Sequence, residues 1–146
     1  MPTPQNYKNH HRFNPPFHFF VAPLSILNLI VAIVVLVRHW PHHWALLIWL
    51  VVMAVAFVVL VTLARVYPLR VQDRLIRLEE NLRYQRLLPP EVLTASQSLT
   101  LRQIIALRFA SDAELPALVQ RALTENLTPK AIKQSVTNWR VDHLRV

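Results

Sequence analysis

Two stretches of the chain lack the alternation of polar and apolar positions that a surface helix or strand shows. From Phe19 to Val37 the only interruptions are Pro23, Ser25 and Asn28, and from Trp44 to Ala64 the only polar residue is Thr62. A helix crosses a bilayer core with about 20 apolar residues, so each run predicts a transmembrane helix. The short turn 38–43, Arg38-His39-Trp40-Pro41-His42-His43, separates them. Too little chain remains elsewhere to bury two such runs in a soluble core. A secretory signal would be shorter and followed by a small-residue cleavage site, which the second run does not supply. The pattern predicts a transmembrane hairpin over 19–64, preceded by a polar N-terminal arm, 1–18.

After Ala64 the period changes. Across 65–88 the apolar positions Val71, Leu75, Leu78 and Leu82 recur at alternating steps of four and three, the spacing of a short a/d seam on an amphipathic stalk helix. Acid-before-base pairs at i, i+4, Asp73–Arg77 and Glu79–Arg83, would support it. Such a stalk is expected to pack on its own C-terminal helices or on copies of itself. Pro68 would either kink the second span or sit in the first turn of a new helix. The segment 89–99, with its Pro89-Pro90 pair and polar residues, breaks the pattern and reads as a linker.

Three short helices are predicted over 100–146. Thr100 and Gln103 form a capping-box pattern, and Ser111 and Glu114 form another. Thr128-Pro129 is an N-cap followed by proline at the first helical position. The last helix would bury Ile132, Val136 and Trp139 and run nearly to Val146. So few large apolar side chains make a thin core, which needs a further surface to pack on.

Charge orients the hairpin. Lys8 and Arg12 precede the first run, and Arg65, Arg70, Arg74, Arg77, Arg83 and Arg86 follow the second, whereas the turn carries Arg38 alone. Lys and Arg stay cytoplasmic, so both termini are expected inside and the His-rich turn outside. Trp40 and Trp44 would anchor the outer interface, and Phe17, Phe19 and Tyr67 the inner one. The arginines nearest the membrane, Arg65, Arg70, Arg74 and Arg77, would set topology or meet anionic lipid heads.

Neither run holds an ionisable residue, and proton relays and ion-coupled transporters mark themselves with such groups. The polar stripe Ser25, Asn28 and Ala32 lies on one helical face, as residues that pack helix on helix in lipid do.

Composition narrows the chemistry. Both Gly and Cys are absent, against an average Gly content of roughly 7%. This excludes Gly-rich phosphate loops, the dinucleotide fingerprint and the nucleophile elbow. It also excludes disulfides, thiolate zinc sites and a thiol nucleophile. His39, His42 and His43 are weak metal candidates, but their spacing matches no ligand motif and Pro41 interrupts them. His18 at the boundary could ligate a tetrapyrrole, although an anchoring role explains it as well. No cofactor is expected. Ser111, Asp112 and His143 supply the letters of a catalytic triad without its spacing, and an enzyme is not expected. The pI of about 11.1 raises nucleic acid, with Lys130, Lys133 and Arg140 near the last predicted helix. The membrane flanks account for most of that charge, so neither nucleic acid nor a small-molecule substrate is expected.

Gln5-Asn6-Tyr7-Lys8-Asn9-His10, Gln72-Asp73-Arg74, Glu79-Glu80-Asn81-Leu82-Arg83, the stretch Leu101 to Asp112, and Asn138-Trp139-Arg140 with Asp142 resemble the pattern of an uncharacterised bacterial family of small two-span membrane proteins. Some members of that family bear a transporter-permease label. The resemblance implies a bacterial inner (plasma) membrane setting and no particular reaction. Two spans are few for a permease.

The expected fold is all-α: a two-helix transmembrane hairpin, a basic stalk helix and a small three-helix cytoplasmic domain. The expected role is a non-enzymatic accessory subunit or scaffold, in contact with the lipid bilayer and assembled as a homo-oligomer or in a larger membrane complex. The competing expectation is a homo-oligomeric channel or transport component with its pore near Ser25 and Asn28.

Overall fold

The computed structural model describes Tyr7 and residues 14–141. Lys8, His10, His11 and Arg12 of the arm, and Asp142 and His143, lie outside the described residues. Among the described residues all the regular elements are helices: a π-helical turn Phe17–Val21, α1 (Ala22–Arg38), α2 (Trp44–Leu87), α3 (Pro90–Ser96), α4 (Leu101–Leu107), α5 (Leu115–Thr124) and α6 (Pro129–Ser135). The chain divides into two compact units. One is 13–69, and the other contains 70–146.

In the first unit the π-helical turn has a local cause. Pro23 has no N–H to give the Phe19 carbonyl, and its ring crowds that carbonyl, so the ladder widens. The Ala22 amide accordingly donates back to the Phe17 carbonyl. Phe17–Arg38 and Trp44–Leu87 are each long and apolar enough to cross a membrane, and only 6% and 17% of their most apolar windows are buried within the chain. A soluble core helix would be covered on most sides; these are not. The turn between them carries a cis Trp40–Pro41 bond and puts His43 at φ 53°, a left-handed position that glycine usually takes.

The second unit is a helical domain closed around the C-terminal part of α2. Its core comprises Tyr84 near the end of α2 and Leu88 just past it, Leu99, then Ile104, Ala106 and Leu107 of α4. Ala110, Leu115, Leu118, Val119 and Ala122 of α5 and its approach, with Ile132 and Val136, complete it. The helices α4 and α6 pack together, and α5 joins α3, α4 and α6. The further surface that the thin core needed is therefore α2 itself.

Four expectations change. The predicted stalk is no separate helix, since α2 runs through Pro68 without a break. The predicted linker 89–99 contains α3, because Pro89 is extended and Pro90 occupies the first turn, where its fixed φ favours a helix. Here the Pro-Pro pair starts a helix and does not stop one. The stalk does pack on the C-terminal helices, but not through its a/d seam. Val71, Leu75, Leu78 and Leu82 are 66%, 52%, 57% and 53% exposed, while Ile76, Glu80, Arg83 and Tyr84 on the opposite face are buried. Finally, the last helix ends at Ser135, well short of Val146, and Val136 is extended. Trp139 reaches the core by pairing as an antiparallel bridge with Ala110.

The caps behave unevenly. Thr100 and Gln103 close a full reciprocal capping box. The Thr128 hydroxyl accepts from the Ala131 amide. The α5 helix ends without glycine: Asn126 takes φ 47° and the Leu127 amide donates to the Ala122 carbonyl at 3.2 Å. That is a Schellman closure with asparagine at the left-handed position.

Candidate functional site

A dense polar arrangement lies where the domain grips α2. Arg83 lies one turn from Glu80 and two turns from Ile76 on the buried face, and its guanidinium serves three acceptors. Nε donates to Asp112 Oδ1 at 2.7 Å, Nη2 to the Ala110 carbonyl at 2.8 Å and Nη1 to Glu80 Oε2 at 3.2 Å. Arg140 Nη1 donates to the other Glu80 oxygen at 3.4 Å. One arginine thus ties α2 to the segment between α4 and α5, and Glu80 ties it to the chain beyond α6. The i, i+4 pair expected between Glu79 and Arg83 is replaced by the i, i+3 pair with Glu80, because Arg83 faces inward with Glu80 while Glu79 is exposed.

Burial pushes the Glu80 carboxyl above its ordinary value of 4.5, with Arg83 first and then Arg140 and Arg108 pulling against it. Burial likewise raises the Tyr84 hydroxyl, and the Glu80 charge adds to that. Glu80, Arg83 and Tyr84 are only 3%, 2% and 1% exposed. Glu80 and Arg83 act on one another, whereas the buried Tyr84 hydroxyl has no hydrogen-bond partner; the cluster is a clasp.

Next to it, Phe109 is buried under the Arg108 guanidinium, 4.8 Å from its ring centre. The Lys133 ammonium lies 5.8 Å from that centre, and the Trp139 ring lies 5.1 Å away. The Phe109 carbonyl accepts the Arg140 amide at 2.7 Å, and the Asn138 carbonyl accepts the Ser111 amide at 3.0 Å.

Glu114 holds this short bridge closed. It was expected as half of a capping box with Ser111, and its carboxylate does accept the Ser111 amide at 3.1 Å. The Ser111 hydroxyl does not complete the box, having no hydrogen-bond partner. Instead the carboxylate accepts from the Thr137 hydroxyl at 2.8 Å and from the Thr137 and Asn138 amides at 3.1 and 3.3 Å. These bonds offer the backbone an alternative to helix, which explains why α6 stops.

Burial alone would raise the Glu114 pKa, but the bonds from the Thr137 hydroxyl and the three amides outweigh it and hold the carboxyl below 4.5. A depressed carboxylate contributes stability that is fully present above its unfolded value and is lost as pH falls through the folded one. The bridge is therefore expected to loosen below pH 4.5. Protection of the Ser111, Thr137 and Asn138 amides, measured as exchange relative to the intrinsic rate at each pH, should fall there. Glu114→Gln should flatten that acid dependence and cost about 1 kcal/mol at neutral pH.

The residues singled out in the sequence fall elsewhere. Ser25 is buried and its hydroxyl donates to the Ala22 carbonyl at 2.8 Å. Asn28 on the same stripe is exposed and Ala32 half-buried. Phe17 stacks edge-on with His18 and lies under the Arg65 guanidinium at 5.7 Å, so two expected inner-boundary residues meet. Trp40, Trp44 and Tyr67 are exposed, as are Arg70, Arg74 and Arg77. His39, His42 and His43 are exposed too, and the His39 Nδ1 sits 2.9 Å from the Val35 carbonyl. Among the described residues no group of three or more His, Cys, Asp or Glu is placed to hold a metal ion. Asp112, one letter of the supposed triad, is committed to Arg83.

The clasp was missed in the sequence, although a signal existed. Ile76, Tyr84 and Leu88 form a second apolar stripe across the helix from the a/d seam, and Glu80 and Arg83 lie within it.

Residues 1–146, the whole chain, match the family of unknown function DUF6526. The chain belongs to that family. No curated protein and no solved structure matched it. The family match spans both units.

Proposed function

We propose that this DUF6526 protein is a non-enzymatic inner-membrane protein of bacterial type that serves as an accessory subunit or scaffold. Its two apolar helices form a hairpin that packs laterally in the bilayer, and its clasped helical domain lies on the cytoplasmic side. The observation that carries this reading is the uncovered state of both apolar helices, with the Asn28 amide exposed on the first of them. Hydrocarbon offers an amide no hydrogen-bond partner, so Asn28 calls for a neighbouring helix. The arginines after the second run favour a cytoplasmic domain. Arg65 over Phe17 supports an anchored inner boundary.

The test is gentle extraction of the membrane-borne protein followed by native mass spectrometry. The expected result is a complex of this chain with itself or with another membrane protein. Asn28→Leu should leave the chain in the membrane and weaken the complex by about 1 kcal/mol, roughly fivefold. A monodisperse monomer with nothing co-purifying would overturn the proposal.

A further inference from the structure

The domain covers only one side of the C-terminal part of α2. Ile76, Glu80, Arg83 and Tyr84 face it, and Val71, Leu75, Leu78 and Leu82 are left more than half exposed on the other side. In heptad terms the domain occupies the b, c and f positions, which a coiled coil ordinarily gives to solvent. The a and d positions stay open. The flanks of this open seam are also patterned. With Leu75 and Leu82 at a, Arg74 is a g position and Glu79 the following e position, and both are exposed. That i, i+5 relation is the one at which two parallel helices in register cross-pair opposite charges. Asn81 and Arg86 repeat it one heptad later with a polar pair.

We propose that the seam is the contact with a second copy of this chain. Two α2 helices lie parallel there, Val71, Leu75, Leu78 and Leu82 meet their own counterparts, and Arg74 of each copy pairs with Glu79 of the other. The inference deepens the scaffold reading and rests on it, since copies inserted in a membrane the same way present their helices parallel. An antiparallel pair would set Arg74 against the partner's own g positions and lose the match to Glu79.

Two heptads are marginal for a free coiled coil, because the helix itself must be ordered. Here that helix is already formed, being part of α2 and held on its far side by the clasp. Confinement of both copies to one membrane raises their effective concentration further.

The chain has no cysteine, so single-cysteine cross-linking tests the geometry directly. Full-length Leu78→Cys, Val71→Cys and Arg77→Cys variants are oxidised with copper phenanthroline in membrane vesicles. The d-position variants should form disulfide dimers severalfold more than Arg77→Cys, which lies off the seam. In the Leu78→Cys background, Glu79→Arg should lower dimer formation about fivefold. Adding Arg74→Glu to it should restore dimers. Equal cross-linking on and off the seam would overturn the proposal. So would cross-linking of Val71→Cys only with Leu82→Cys, the antiparallel result, or charge reversal without rescue.

Carbonate washing of the same vesicles separates the two readings. A chain that stays in the membrane without seam disulfides removes the dimer and leaves the scaffold reading standing. Seam disulfides in vesicles whose native complex contains no other protein support the dimer without any partner. A chain stripped by carbonate overturns both.

Discussion

Replacing Arg83 with methionine is expected to open the clasped domain. The substitution leaves Glu80, which is 3% exposed, without its nearest counter-charge, and it orphans the buried Ala110 carbonyl. Removing one partner of a buried ion pair costs about 3–5 kcal/mol, because the remaining charge stays desolvated. A domain of this size has roughly 3–5 kcal/mol in total to lose. Hydrogen exchange in nanodiscs should therefore show the core amides of α4, α5 and α6 losing protection. The apolar helices should keep theirs, because lipid rather than the clasp would hold them. The partner variant separates charge from shape: Glu80→Leu with Arg83→Met removes both buried charges, and apolar replacement of a buried pair is often neutral or better. The double variant should regain most of the lost protection. If Arg83→Met alone leaves exchange unchanged, the clasp is ornamental.

The second large effect is expected at Phe109. Its ring is 1% exposed and lies within contact range of the Arg108 and Lys133 cations and the Trp139 ring. Phe109→Ala removes that ring and leaves a cavity, at about 3–5 kcal/mol, so it should unfold the domain as fully as Arg83→Met. The two losses differ in salt dependence. The Phe109 effect comes from dispersion and burial and should be nearly indifferent to ionic strength. Asp112 sits at the solvent edge of the Arg83 cluster, so part of the Arg83 effect should be screened. Limited trypsin digestion at low and high salt reads both. A Phe109→Ala domain that resists trypsin as well as the parent would show that the bridge holds without its aromatic filling.

Local signals along this chain carried far and tertiary ones did not. The apolar runs were legible because nothing but lipid or a very large core accommodates such length. The Thr100 and Thr128 caps were legible because capping acts over three residues. The boundaries of α6 and the identity of α3 were not, since both depend on partners distant in sequence: Glu114 for the end of α6, and the core of the domain for α3. The inward face of α2 was not legible, for an instructive reason. The a/d stripe is the more apolar of two stripes, and apolarity alone would bury it. The face that is buried instead carries Glu80 and Arg83, which become tolerable inside only when Ala110, Asp112 and Arg140 arrive to meet them. No periodicity within α2 announces those partners.

The separation along the chain of those partners has a consequence for the order of assembly. Glu80 and Arg83 leave the ribosome long before Ala110 and Asp112, and Arg140 emerges later still, at a sequence distance of 60 from Glu80. Loop closure over that distance comes after local helix formation. Both apolar runs, being upstream, are thus translated while the clasp is still an exposed acid and base on a solvated helix. On the membrane reading proposed above, the unmet charges on the nascent α2 would keep that stretch from following its greasy neighbour into lipid, because an unpaired charge in hydrocarbon is costly, and the domain would seal them only afterwards.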